Sequence, residues 1–500
     1  MTSCSLAPSR CESSAVTLSA GWSHGGGDAH NTRFQCAETL ISPANVGDLK
    51  PKWVQAVKGD VSATPTTDGL RVYFPDWGNF LNALDAETGE VIWQEPISGY
   101  NNSPSTCRTS PVIVDNGAAL VIGDRGTSIK SKGANVIKVD ARTGALIWIT
   151  TVESHPAAQI TSSPTVADGV ILVGVASNEE TFALKPAYAC CTFRGSIVAL
   201  DEESGQILWK TYLVPDNTGL TNQYSGGAIW GGSPVVDSQR KLVYVTTGNN
   251  YTVPQEVADC LILLPDSSTC TDPENRIDAI LALDFNTGNI KWTYQAQFSD
   301  ISNGGCLIGV NCMSPRGPDW DFAQGPIFVD SPLGQMIFAA QKNGLTYALN
   351  PETGALLWKV QTGTGVRFGS ATDGTRIYVA NRTSFDRDAG SWSALDPQSG
   401  KILWTTNDPG GPETHSLGLA PVSVANGVVY AGSTNKSGAT MFGLDAENGS
   451  ILFSFNSGTP VAGGAAVNNG VVFWGSGYPS LDANVGDNRF FAFGLSGPAD

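Results

Sequence analysis

One pattern returns along the chain. It reads ALDAETGEVIW (83–93), VDARTGALIW (139–148), ALDEESGQILW (199–209), ALDFNTGNIKW (282–292), ALNPETGALLW (348–358), ALDPQSGKILW (394–404) and GLDAENGSILF (443–453). Each copy reads as a strand, a tight turn and a second strand. The Asp or Asn side chain opens the turn, and the Gly takes a positive φ that other residues resist. Alternating apolar residues mark the flanking strands. The aromatic residue always follows the Gly by four positions: Trp93, Trp148, Trp209, Trp292, Trp358, Trp404 and Phe453. Trp53, in LKPKW, reads as an eighth such residue cut off from its own hairpin, and FFAFGL (490–495) supplies the missing strand. Upstream segments such as SPTVADGVILVG and APVSVANGVVYAG add two more strands to most units. Motif copies lie 46 to 83 residues apart, the period of a propeller. The expected fold is all-β: an eight-bladed β-propeller over 19–497 after an N-terminal tail at 1–18, its last blade completed by an N-terminal strand. Closure of that kind leaves no open sheet edge. A large indole is most simply a wedge between twisted neighbouring sheets.

A propeller is compatible with many activities, so function has to come from a site. The formal net charge of −17 argues against nucleic acid and anionic membranes as partners. No run of 18 apolar residues occurs, so no membrane-spanning helix is expected. The start, MTSCSLAPSRCESSAV, lacks the basic and apolar regions of a signal peptide. Ten cysteines, with Cys260 and Cys270 flanking one loop and Cys306 and Cys312 another, point to disulfides and an oxidising compartment, hence an extracellular or periplasmic location. There is no C-x-x-C-H for an attached haem, no dinucleotide-binding G-x-G-x-x-G, and no zinc spacing among the four histidines.

Together with the Trp-bearing repeat, GWSHGGGDAHNTRFQ (21–35), CCTFRGSIVALD, WGGSPVVDSQRKLVYVTTGNNY and QKNGLTYALNPETG resemble the PQQ-dependent quinoprotein alcohol dehydrogenases. The likeness is strongest to the polyvinyl-alcohol dehydrogenase-like branch and covers the chain from about residue 20. The resemblance implies oxidation of an alcohol to the carbonyl, with PQQ and Ca²⁺ as cofactors. Electrons would pass to a separate acceptor such as a cytochrome c or a quinone. Secondary, polymeric and sugar alcohols all remain open as substrates.

The resemblance also implies site residues. Calcium takes hard oxygen ligands. Family ligands map onto Glu180 in VASNEE, with Glu179 one residue away as the alternative, onto Asn249 in TTGN, and onto Asp321 in PDWDF. Asp321 is also the implied general base for the alcohol proton, with Asp319 the alternative. Ala323 stands where lanthanide-using relatives carry a second Asp, which implies calcium. Trp230 in GGAIWGGS matches the stacking Trp under the PQQ ring; without that context it reads equally as a core or inter-blade indole. Arg108 and Thr161 match contacts to the cofactor carboxylates, and Lys342 stands beside the quinone oxygens.

Cys190 and Cys191 are adjacent. Neighbouring Cα atoms lie about 3.8 Å apart, below the roughly 4.4–6.8 Å of an ordinary disulfide, so from the residues alone two separate thiols or other pairings stay open. Methanol-oxidising relatives carry a vicinal disulfide over the PQQ face, and the resemblance implies the same bond here, at the cofactor pocket. The rival function is a propeller without catalysis, a scaffold or ligand-binding module. The set Glu180, Asn249, Asp321 and Trp230 separates the two, because a scaffold has no use for all four.

Overall fold

The computed structural model describes residues 21–128, 131, 133–382, 390–411, 417–478 and 488–496. The tail expected at 1–18 lies outside them. Within them the chain is a β-propeller of antiparallel four-strand meanders. Seven are formed by consecutive segments, running from Thr66–Thr67 through Val91–Pro96 to Ser423–Ala425 through Ile451–Phe455. A further sheet is composite. Ala466–Asn468, Val471–Gly475 and Arg489–Gly494 come from the end of the chain, and Lys50–Ala56 from its beginning. The innermost strands touch in chain order from Thr66–Thr67 to Ser423–Ala425, Ser423 Oγ donates to Ala465 O, and Ala466–Asn468 returns to touch Thr66–Thr67.

The repeat explains the packing between sheets. Each Trp lies against the turn glycine of the next meander. A Cβ on Gly89 would sit 2.5 Å from the Trp53 ring, one on Gly354 2.6 Å from Trp292, and one on Gly400 2.5 Å from Trp358. These glycines therefore do two jobs: they take φ of about +70° and leave room for the indole. Most of the indoles also donate across the gap, for example Trp93 Nε1 to Ala141 O (3.0 Å), Trp209 Nε1 to Phe285 O (2.9 Å) and Trp358 Nε1 to Pro397 O (2.8 Å). Trp148 Nε1 has no such partner among the described residues. Inside each turn the Asp caps backbone N–H groups, as Asp85 Oδ1 does for Glu87 and Thr88 at 3.0 and 2.8 Å.

Segment 22–35 threads the ring. It meets the innermost strands one after another: Trp22 pairs with Thr67, Ser23 O accepts from Ile113 N, His24 Nε2 lies 3.2 Å from Val166 O, and Ala29 O accepts from Val236 N. It continues through His30 O to Phe328 N, Thr32 O to Thr372 N, Arg33 O to Val424 N, and Gln35 Nε2 to Val467 O. The segment thus circles the centre and places Arg33 in its middle.

Candidate active site

The site is built where two glycine-containing segments run in contact. A Cβ on Gly231 would lie 2.0 Å from Ala323 O, and one on Gly232 1.6 Å from Gly325 N. Only residues without a side chain allow this approach, and it sets Trp230 beside Asp321. Trp230 Nε1 donates to Asp321 Oδ2 at 2.5 Å. Phe322, 2% exposed, anchors the second segment in an apolar cluster with Tyr244 and Tyr347. Gly248, next to Asn249, approaches from the third side, where a Cβ would stand 3.2 Å from Asp321 Oδ2.

Lys342 completes the group. Its Nζ pairs with Asp321 Oδ1 at 2.5 Å and Asp319 Oδ1 at 2.8 Å, and sits 5.0 Å above the Trp230 ring. Burial opposes the ammonium charge, but Asp321, Asp319 and Glu180 outweigh it and push its pKa up. Asp319 is itself shifted up, by burial first and by Asp321, against the pull of Lys342.

The two glutamates separate cleanly. Glu179 is fully buried, and both its oxygens are taken by the loop that follows: Thr192 N donates at 2.9 and 3.1 Å, Phe193 N at 2.9 Å and Tyr188 Oη at 3.0 Å. Its carboxylate thereby fastens the cysteine loop. Glu180 reaches water yet is densely surrounded by protein, as a side chain in a recess would be. Its carboxylate accepts no hydrogen bond among the described residues, and burial, with Asp319 and Asp321 adding, pushes its pKa up to about 7 against Lys342 and Arg367.

Asn249 is 6% exposed and donates both amide hydrogens, to Asn250 O (2.8 Å) and Ser302 O (2.7 Å), which leaves Oδ1 as the presented atom. Glu180, Asn249 Oδ1 and Asp321 form a hard-oxygen donor set that fits calcium in kind. Among the described residues no three His, Cys, Asp or Glu side chains close on one point by themselves.

Arg108 and Thr161 lie on a different wall. Both line a cavity beneath Gly231 and Gly232, and Thr161 Oγ1 donates to Trp230 O at 2.9 Å. Cys190 and Cys191 are bonded to each other. Their surroundings are apolar and adjoin the candidate site. Cys191 is 0% exposed, and both sit in an apolar cluster with Phe193, Ala228 and Tyr251, against which Trp230 packs. Neither lines the cavity of Arg108. Cys260–Cys270 and Cys306–Cys312 are disulfides, and Cys107 is a buried free thiol.

Sequence reasoning missed Asp300, a fully buried carboxylate that accepts from Asp319 N (3.0 Å) and Trp320 N (2.6 Å) and so fixes the loop leading to Asp321. Burial raises its pKa to about 7, with Asp321 and Asp319 adding and the two N–H bonds opposing. A carboxyl whose folded pKa is raised loses its contribution to stability as pH climbs from its ordinary value, 3.8, toward 7. Asp300→Asn removes that loss. In apo protein with chelator, the stability of the variant relative to wild type should rise from pH 4.5 to 7, by at most roughly 1.4 kcal/mol per pH unit. A difference that stays constant across that window would place the Asp300 ionisation at the ordinary carboxylate value.

Comparison with known proteins agrees with this geometry. The family model described as "Glucose/ethanol/alcohol dehydrogenase, beta-propeller domain" matches residues 22–365, and one described as "Outer membrane protein assembly factor BamB" matches 341–471. The chain is 31% identical to a polyvinylalcohol dehydrogenase of Sphingopyxis sp. (strain 113P3), over 97% of this chain and 76% of that protein. It is 30% identical to a polyvinylalcohol dehydrogenase of Pseudomonas sp., over 94% and 75%. Among solved structures, the quinohemoprotein alcohol dehydrogenase of Comamonas testosteroni superposes with a TM-score of 0.70 at 18% identity, covering 96% of this chain and 81% of that one, a likeness of fold. By the extent of the family match and of the identity to these relatives, the chain belongs to the PQQ family of glucose/ethanol/alcohol dehydrogenase β-propellers.

Proposed function

We propose that the protein oxidises an alcohol to its carbonyl with PQQ and Ca²⁺, on a ring of eight blades in which the composite sheet is the eighth and 19–497 is one domain. The observation that carries this is the convergence of Asp321 with Trp230 and Lys342 beside the oxygen donors of Glu180 and Asn249. A bare scaffold gains nothing from so many buried charges, since burial without pairing is costly. Glu180, Asn249 and Asp321 would hold the calcium, Trp230 would floor the PQQ ring, and Arg108 and Thr161 would face its carboxylates. The Cys190–Cys191 pair would stiffen the wall behind Trp230. Bound there, PQQ would supply the two-electron oxidant for the alcohol carbon and calcium would supply Lewis acidity.

The remaining work falls to the chain. Asp321 takes the hydroxyl proton of the alcohol. Trp230 Nε1–H and the Lys342 ammonium hold its carboxylate in place. Asp300 and Phe322 fix the backbone on either side. The disulfides support a secreted or periplasmic location, and the electrons pass to a separate acceptor. The first two relatives named above make secondary or polymeric alcohols the first substrates to try. Purified apo protein should show alcohol:dye oxidoreductase activity only when PQQ and Ca²⁺ are added together. Activity with NAD⁺ alone, or none with any alcohol once PQQ binding is confirmed, defeats the reading.

A further inference from the structure

The centre of the propeller holds a charge that the site described above does not use. Arg33 is 6% exposed, and no carboxylate pairs with it among the described residues. Its Nη1 donates to Gly25 O (3.0 Å) and Thr64 Oγ1 (3.3 Å), and among the described residues neither the buried Nε nor Nη2 has a partner. Glycine surrounds the guanidinium: a Cβ on Gly369 would lie 2.7 Å from Nε, and one on Gly464 3.4 Å from Nη1. Burial alone lowers its pKa, to about 10, so it stays charged at neutral pH.

An enclosed cation without a counter-charge is expensive. Arg33 lines the cavity beneath Gly231 and Gly232 together with Arg108. The rest of that lining includes the hydroxyls of Ser62, Thr64, Ser110 and Thr161, and among the described residues no Asp or Glu, in a chain whose net charge is −17. Arg108 also has no carboxylate partner among the described residues; its Nη1 lies 3.4 Å from Tyr478 Oη. Two guanidiniums and a set of hydroxyl donors, with no acid among the described lining residues, form a receptor for a carboxylate-bearing anion.

We propose that Arg33, carried into the centre by segment 22–35, is the inner anchor of this anion site, and that it binds a carboxylate of the bound cofactor opposite Arg108. The identity of that anion rests on the PQQ reading; the existence of the site does not. The segment that circles the ring would then also be a cofactor-binding element, and seating it would complete the site.

The test uses the full chain without cofactor. PQQ is titrated with calcium present and followed by tryptophan quenching. Arg33→Gln should weaken PQQ binding about tenfold to a hundredfold, the loss expected for one charge-assisted contact, with Arg33→Lys in between. A purely structural Arg33 would lower the melting temperature of the apo protein on substitution and leave affinity alone. An unpaired buried cation predicts the reverse: apo Arg33→Gln melts no lower than wild type, and its affinity falls. Equal PQQ affinity in wild type and Arg33→Gln overturns the proposal. Should Arg33→Gln not fold, Arg33→Lys carries the comparison. Should wild type not bind PQQ at all, the cofactor reading fails and the site is judged with citrate. Millimolar citrate should raise the melting temperature of the wild-type apo protein above that in sodium chloride of equal ionic strength, and no rise overturns the anion site.

Discussion

Asp321→Asn should leave PQQ and calcium bound and stop turnover, with kcat falling about 10²- to 10⁴-fold, the range for loss of a positioned general base. The amide keeps one oxygen, which can accept from Trp230 and ligate a metal, while its NH2 replaces the oxygen facing Lys342. What disappears is the capacity to take a proton. Lys342 stays anchored because Asp319 holds it independently at 2.8 Å. The matched control is Asp319→Asn. Asp319 is more open than Asp321, 41% against 3% side-chain exposure, and pairs with the same ammonium, so it is the other base within reach. Under the present assignment its loss should cost far less in kcat. If Asp319→Asn is the dead enzyme and Asp321→Asn turns over normally, the base has been assigned to the wrong carboxylate.

The sequence made the ring legible because its packing is local and periodic. A Trp four residues after a turn Gly marks both partners of each inter-sheet contact, and the Gly of one copy receives the Trp of the copy before. Glu180 and Asn249 could be named partly for a similar reason, since each follows a recognisable strand, whereas Asp321 could be named only from the family likeness of PDWDF. The choice between Glu179 and Glu180 could not be made that way. Both fall in the short helix Glu179–Phe182, where neighbours point about 100° apart. One reaches the N–H groups of Thr192 and Phe193 and the other the recess, and that depends on how the helix is docked. The burial of Cys191 follows from the same docking. Arg33 was hidden for another reason. It stands inside a segment that announces the family, but its partners Thr64, Gly369 and Gly464 are spread across the chain and meet only when the ring closes.

Removing Arg489–Gly494 by ending the chain at residue 488 should abolish cooperative folding. This strand is interior to its sheet, paired with Val471–Gly475 on one side and Lys50–Ala56 on the other. Its side chains alternate between two cores. Phe491 and Phe493 join the cluster of Tyr430, Phe453 and Trp474, while Phe490 and Ala492 join that of Val61, Val72 and Phe74. Phe490 stacks on Phe74 with centroids 3.9 Å apart. One strand therefore binds the last consecutive meander to the first, and it also holds the N-terminal strand that carries Trp53. All three phenylalanines are 0% exposed. At about 1.5–3 kcal/mol for each buried side chain, their loss approaches the roughly 5–15 kcal/mol that stabilises a whole domain. Phe491→Ala alone should cost about 3–5 kcal/mol, read as a shift in the denaturant midpoint without a change of slope. Ending the chain after Leu495 instead leaves the paired strand whole and should melt as wild type does. A chain ending at 488 that stays soluble and melts at the wild-type temperature would mean that the ring is held shut elsewhere, and segment 22–35, which bonds to successive inner strands, is the element to delete next.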